Sequence, residues 1–83
     1  MTTARITLVG KPGCHLCDDA RQVVQRVSAG FETSYEELSI LDDETLFEEY
    51  AEEIPVVLIN DRVHTIWRVD PTRLTAALQE ATA

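Results

Sequence analysis

Cysteine is scarce in this sequence: Cys14 and Cys17 are the only two among 83 residues. A single bridge between residues three apart would close too small a loop to remove much chain entropy, so a disulfide-stapled scaffold is excluded. Glycine and proline are equally sparse, at three each, which excludes collagen-like and low-complexity chains. Apolar runs are short, and none approaches the roughly 18 residues needed to span a bilayer. Basic charge is also lacking, with seven Lys and Arg against 15 Asp and Glu and a formal net charge of −8. Nucleic acid and anionic membrane surfaces are therefore not expected partners. Between Glu32 and Glu53 there are ten acidic residues and no Lys or Arg, a pattern that reads as a solvated acidic helix face. The opening "MTTARITLVGKPG" has no apolar h-region of a signal peptide, and the expected compartment is the cytoplasm.

What is present describes one small α/β domain over residues 1–83, expected to be a monomer. "RITLV" (5–9) is a short β-branched strand that ends at the breaker cluster Gly10-Lys11-Pro12-Gly13. A helix is predicted from Cys14 to Ala29, with Leu16, Ala20, Val23, Val24 and Val27 on one stripe and Gly30 as its stop. "YEELSI" (35–40) reads as a second strand with Leu38 and Ile40 on one face. A short acidic helix over 43–52 would bury Leu46, Phe47, Tyr50 and Ala51. "VVLI" (56–59) has the continuous apolar character of a strand covered on both faces, and Asn60-Asp61 suits a tight turn into "RVHTIW" (62–67). Asp70-Pro71 then caps and starts a last helix carrying Leu74, Ala77, Leu78 and Ala81. The order β-α-β-α-β-β-α implies a four-stranded mixed sheet with helices on both faces, the acidic helix alone on one of them.

Cys14 falls where a strand-to-helix turn meets a helix N-terminus, whose unpaired N–H groups favour a thiolate. Cys17 lies one turn on, along the same face. It is placed to attack a mixed disulfide formed at Cys14. A metal site would need two further ligands, and only His15 and His64 remain among Cys and His. His15 is expected to point away from the pair, and no metal ligand set is assigned. His64 reads as a partly buried structural histidine, and Trp67 as packing.

With "CHLC" after the first strand, "EIPVV" at 53–57 and this element order, the chain resembles the thioredoxin superfamily, and within it the glutaredoxin-like proteins. A shorter bacterial subgroup with Cys-x-Leu-Cys looks closer than the glutathione-using members. The resemblance covers essentially the whole chain and implies a thioredoxin-like fold. It also implies thiol–disulfide exchange, with Cys14 attacking and Cys17 resolving. It implies a cis-proline at Pro55, holding the backbone of Ile54 open to an extended substrate segment. Lys11 matches the lysine that glutaredoxins place before the nucleophile, where it can meet a glutathione carboxylate. His15 and Leu16, between the cysteines, and Arg68 would line the same substrate region, with His15 acting as a cation beside the thiolate or as a neutral rim.

The chain also departs from that pattern. His15-Leu16 stands where glutaredoxins usually carry Pro-Tyr, and the Gly-Gly after the fourth strand is replaced around Trp67-Arg68. Disulfide-containing proteins and glutathione mixed disulfides are the expected substrates. No resident cofactor is expected, and either glutathione or thioredoxin reductase would supply the electrons. Two other readings stay open on the sequence: a zinc or iron–sulfur module built on paired Cys-x-x-Cys motifs, and a non-catalytic docking domain presenting the acidic face.

Overall fold

The computed structural model describes residues 3–83. The chain runs through β1 (Ala4–Gly10), α1 (His15–Ser28), β2 (Thr33–Ser39), α2 (Glu44–Tyr50), β3 (Val56–Ile59), β4 (Arg62–Ile66) and α3 (Pro71–Ala81). The strands form a four-stranded sheet in the order β2-β1-β3-β4. β1 is parallel to β2, whereas β3 is antiparallel to both β1 and β4. The fold is α/β with a mixed sheet and helices on both faces, as the sequence predicts.

Side-chain alternation along the two central strands divides the core. Ala4, Ile6 and Leu8 of β1, with Val57 and Ile59 of β3, meet Ala20 and Val24 of α1 and Leu74 and Leu78 of α3. The residues between them turn the other way: Val9 and Val56 pack with Ile40 against Leu46, Tyr50 and Ala51. That second layer belongs to α2, so the acidic helix does stand alone on its face. Both clusters are apolar, and truncating a fully buried leucine such as Leu74 would cost about 2–5 kcal/mol.

Local chemistry sets the element boundaries. Asn60 and Asp61 both have positive φ, 51° and 68°, as a two-residue hairpin of the primed type requires. Asn60 also continues the β1 ladder, its Oδ1 accepting from Arg5 N at 2.9 Å and its N–H donating to Arg5 O at 2.8 Å. Asp43 and Asp70 cap α2 and α3 by accepting from backbone amides of the first turn, and Pro71 opens α3. The exposed edge strand β2 is tied to α1 through Arg21, which pairs with Glu37 and meets Asp18 at 2.9 Å. Charges of this kind discourage edge-to-edge pairing.

Several expectations are corrected. α1 begins at His15 rather than Cys14, which keeps an extended backbone as the N-cap. β2 starts at Thr33 and ends at Ser39. Leu38 does not share the burial of Ile40: Ile40 packs with Val9 and Val56 in the α2-side cluster, and Leu38 on the edge strand lies outside it. Phe47 is 50% exposed, since a seven-residue helix lays only Leu46 and Tyr50 on the sheet. β4 stops at Ile66, and Trp67 is 55% exposed instead of packed. Gly10 is the last residue of β1, paired with Ser39, and not part of the turn. Among the described residues no helix is long and apolar enough to cross a membrane.

Candidate active site

β1 leaves the sheet at Gly10 and turns through Lys11, Pro12 and Gly13 into α1. Gly13 has φ +78°, a conformation that glycine adopts without the steric cost other residues carry. The turn delivers Cys14 as N-cap, with φ −92° and ψ 114°. Its sulfur accepts a hydrogen bond from Cys17 N at 3.2 Å, satisfying one of the free amides of the first helical turn. Cys14 is half-buried, with a face to solvent.

Cys17 is a different thiol. It is 2% exposed and belongs to the fully buried set. Burial pushes its pKa up to about 11, and its hydrogen bond to the Cys14 side chain acts in the same direction. The Lys11 backbone amide pulls the other way. One cysteine is thus accessible and held by a helix amide, and the other is sheltered and kept neutral beside it. No disulfide joins them.

The remaining predicted residues divide into two groups. Lys11 lines a cavity of about 390 Å³ with Cys17, Gly10, Asp18 and Ser39, between α1 and the ends of β1 and β2. Leu16 and Arg68 meet across a smaller groove of about 210 Å³ with Asp19, Trp67 and Val69, between α1 and the β4–α3 connection. The sequence placed Lys11, Leu16 and Arg68 in one substrate region. They lie on two concavities, because Lys11 leaves β1 on the β2 side while Arg68 leaves β4 on the other. His15 is exposed at the first position of α1. Pro55 is buried, Ile54 is half-buried against the α2-side core, and the peptide bond between them is cis. Val9 pairs with Val56, so Pro55 stands at the sheet end from which the Cys14 turn departs. Among the described residues no group of three or more His, Cys, Asp or Glu is placed to hold a metal ion.

Two residues that the sequence reading left out of the site stand beside it. Trp67 has φ 66°, a left-handed backbone that is an outlier for a bulky side chain. Arg68 N–H donates to Ile66 O at 2.8 Å, closing a tight turn around it. The Trp67 N–H donates to Pro55 O at 2.8 Å, and the indole Nε1 to Glu52 O at 3.1 Å. Trp67 therefore clasps the segment leading into β3. Gly10 is the second: a β-carbon built on it would lie 2.8 Å from Cys17 Sγ. A lone glycine inside a strand pattern does signal close approach, and that signal was available in "RITLVG".

Solved structures with this arrangement define the class. The chain is similar to a thioredoxin from Halobacterium salinarum, with a TM-score of 0.71 over 99% of this chain and 77% of that one at 13% identity. It is similar also to an X. campestris protein of known X-ray structure, at 32% identity and a TM-score of 0.76, over 92% of this chain and 97% of that one. This is a thioredoxin-fold protein with a Cys-x-x-Cys pair at the start of its first helix. Residues 5–79 match the Glutaredoxin-like domain (DUF836), and the chain belongs to that family. An uncharacterized protein of Mycobacterium tuberculosis is 26% identical over 99% of this chain and 90% of its own length.

Proposed function

We propose that the protein is a small thiol–disulfide oxidoreductase, with Cys14 attacking and Cys17 resolving. The observation that carries this reading is the asymmetry of the pair: an accessible N-cap sulfur, bonded by the Cys17 amide, beside a Cys17 thiol that is 2% exposed. In the first step the Cys14 thiolate attacks a substrate disulfide. A Cys14–substrate disulfide forms, the substrate bond breaks, and one substrate thiol leaves. In the second step Cys17, as it loses its proton, attacks Cys14 Sγ. The Cys14–Cys17 disulfide forms, and the second substrate thiol departs with the electron pair and takes up a proton. The substrate is reduced by two electrons and the dithiol is oxidised.

Glutathione or thioredoxin reductase returns those electrons, and no resident cofactor is required. The substrates are disulfide-containing proteins or glutathione mixed disulfides, in a thiol-reducing cytoplasm. Leu16, Ile54, Pro55 and Arg68 contact the substrate on the open side of Cys14, with His15 at the rim. Lys11 meets an anionic substrate group from the cavity side.

Insulin reduction and reduction of a glutathione mixed disulfide, each with both donors, test the reading. Cys14→Ser is expected to abolish turnover, whereas Cys17→Ser retains attack and accumulates the mixed disulfide. An inactive wild type in all four combinations overturns it.

A further inference from the structure

Glycine at the end of a strand usually answers a backbone need, and Gly10 has none. Among the glycines it is Gly13 that takes a positive φ, while Gly10 sits in ordinary extended backbone. It pairs with Ser39, and its carbonyl accepts from Ile40 N at 2.9 Å. What Gly10 supplies is space. A β-carbon there would lie 2.8 Å from Cys17 Sγ and 3.2 Å from Cys17 Cβ, and nothing else stands as near.

We propose that Gly10 is a positioning residue for the resolving thiol: its missing side chain is the seat in which the Cys17 sulfur rests beside Cys14. This rests on the oxidoreductase reading. Neither wall of the seat can withdraw. On one side is the backbone of a central strand, bonded in its ladder. On the other is the third residue of α1, whose amide is bound to Cys14 Sγ. The β-carbon of Cys17 is held by the helix, so the sulfur is the atom free to move, by rotation about χ1. A methyl group at residue 10 therefore drives the sulfur several tenths of an ångström or more off its line to Cys14. A 1 Å misplacement costs about 100-fold in an oriented reaction, so this shift is expected to slow resolution about tenfold. Attack by Cys14, which makes no use of the seat, keeps its rate.

The reaction of the reduced protein with dithiobis(nitrobenzoate), followed by stopped flow, reads both steps. Cys14 attack releases one thionitrobenzoate, and resolution by Cys17 releases the second with formation of the Cys14–Cys17 disulfide. In Gly10→Ala the first phase is expected at the wild-type rate and the second about tenfold slower. Gly30→Ala serves as control, because a β-carbon there comes no nearer than 3.8 Å to another atom, and both phases should stay unchanged. A second phase at the wild-type rate or faster overturns the proposal, as does equal slowing of both phases. Thermal unfolding of Gly10→Ala in wild-type and Cys17→Ala backgrounds tests the contact without chemistry. The loss should be clearly larger where the sulfur is present, and failure to fold in wild type alone counts the same way. Equal losses, or failure to fold in both backgrounds, overturn the seat. If wild type releases only one thionitrobenzoate, the oxidoreductase reading fails, and the unfolding comparison still decides the role of Gly10.

Discussion

The backbone amide of Cys17 donates to the sulfur of Cys14 at 3.2 Å, so the proposed attacking atom is also the N-cap of α1. Reactivity and helix capping are joined in one atom, and substitutions can separate them. Serine is among the best N-caps and alanine among the poorest. Cys14→Ser and Cys14→Ala are both expected to lose turnover. Urea unfolding should find the alanine variant less stable than the serine variant by about 1 kcal/mol. Equal stabilities would show that the cap contributes nothing.

The buried Cys17 thiol gives the second step its pH dependence. With a pKa raised from 9.0 to about 11, its thiolate fraction climbs with each pH unit through the alkaline range. The resolving phase should therefore rise about tenfold per unit from pH 7 to 9. The same shift bears on stability. A folded pKa above the unfolded one stabilises the native state fully below pH 9, and this contribution is lost as pH rises through about 11. Cys17→Ala should unfold with a flatter pH profile between those limits.

His64 supplies the acid counterpart. It is the extra residue where Val57 and Leu58 pair with Thr65 and Val63, a bulge in β4. Its Nε2 is buried without a hydrogen-bond partner. Burial first, and Arg73 second, hold its pKa below the usual 6.5. The unfolded chain thus takes up the proton first, and the His64 contribution to stability, present above pH 6.5, falls away as pH drops through the folded value. His64→Leu should flatten the loss of Tm between pH 7 and 5. An unchanged slope would show that other groups carry it.

Trp67 can be separated into backbone and side chain. Trp67→Gly and Trp67→Ala lose the same indole and its bond to Glu52 O, and differ in how each residue accepts φ 66°. Glycine should be the more stable variant by about 1 kcal/mol, from the cost of left-handed backbone to a residue with a β-carbon. The indole also lines the groove with Leu16 and Arg68. Trp67→Gly is therefore expected to gain several-fold in glutathione-dependent reduction while reductase-driven turnover changes little. The same gain through both donors would mean that Trp67 does not discriminate between them.

Much of this molecule is written in short stretches. "CHLC" after an apolar strand and a Pro-Gly turn, Asn60-Asp61 between two strands and Asp70-Pro71 before a helix each act through their own backbone, so neighbours in sequence suffice to read them. The continuous apolar run at 56–59 likewise predicts a strand covered on both faces, because successive strand side chains point to opposite sides whatever they pack against.

Tertiary structure decided the rest, where residues far apart in sequence share one space. The exposure of Leu38 and Phe47 depends on which strand is the edge and how much of the sheet α2 covers. Trp67 looked like the end of a strand until the turn around it joined the amide to Pro55 and the indole to Glu52. Lys11 and Arg68, grouped by motif, are parted by the sheet order. The two cysteines were legible by spacing and position, with Cys14 as the exposed thiol and Cys17 as the sheltered one, yet what shelters Cys17 was not. Burial under α1 and the space beside Gly10 make Cys17 the sheltered thiol, and both arise only when the helix docks on the sheet.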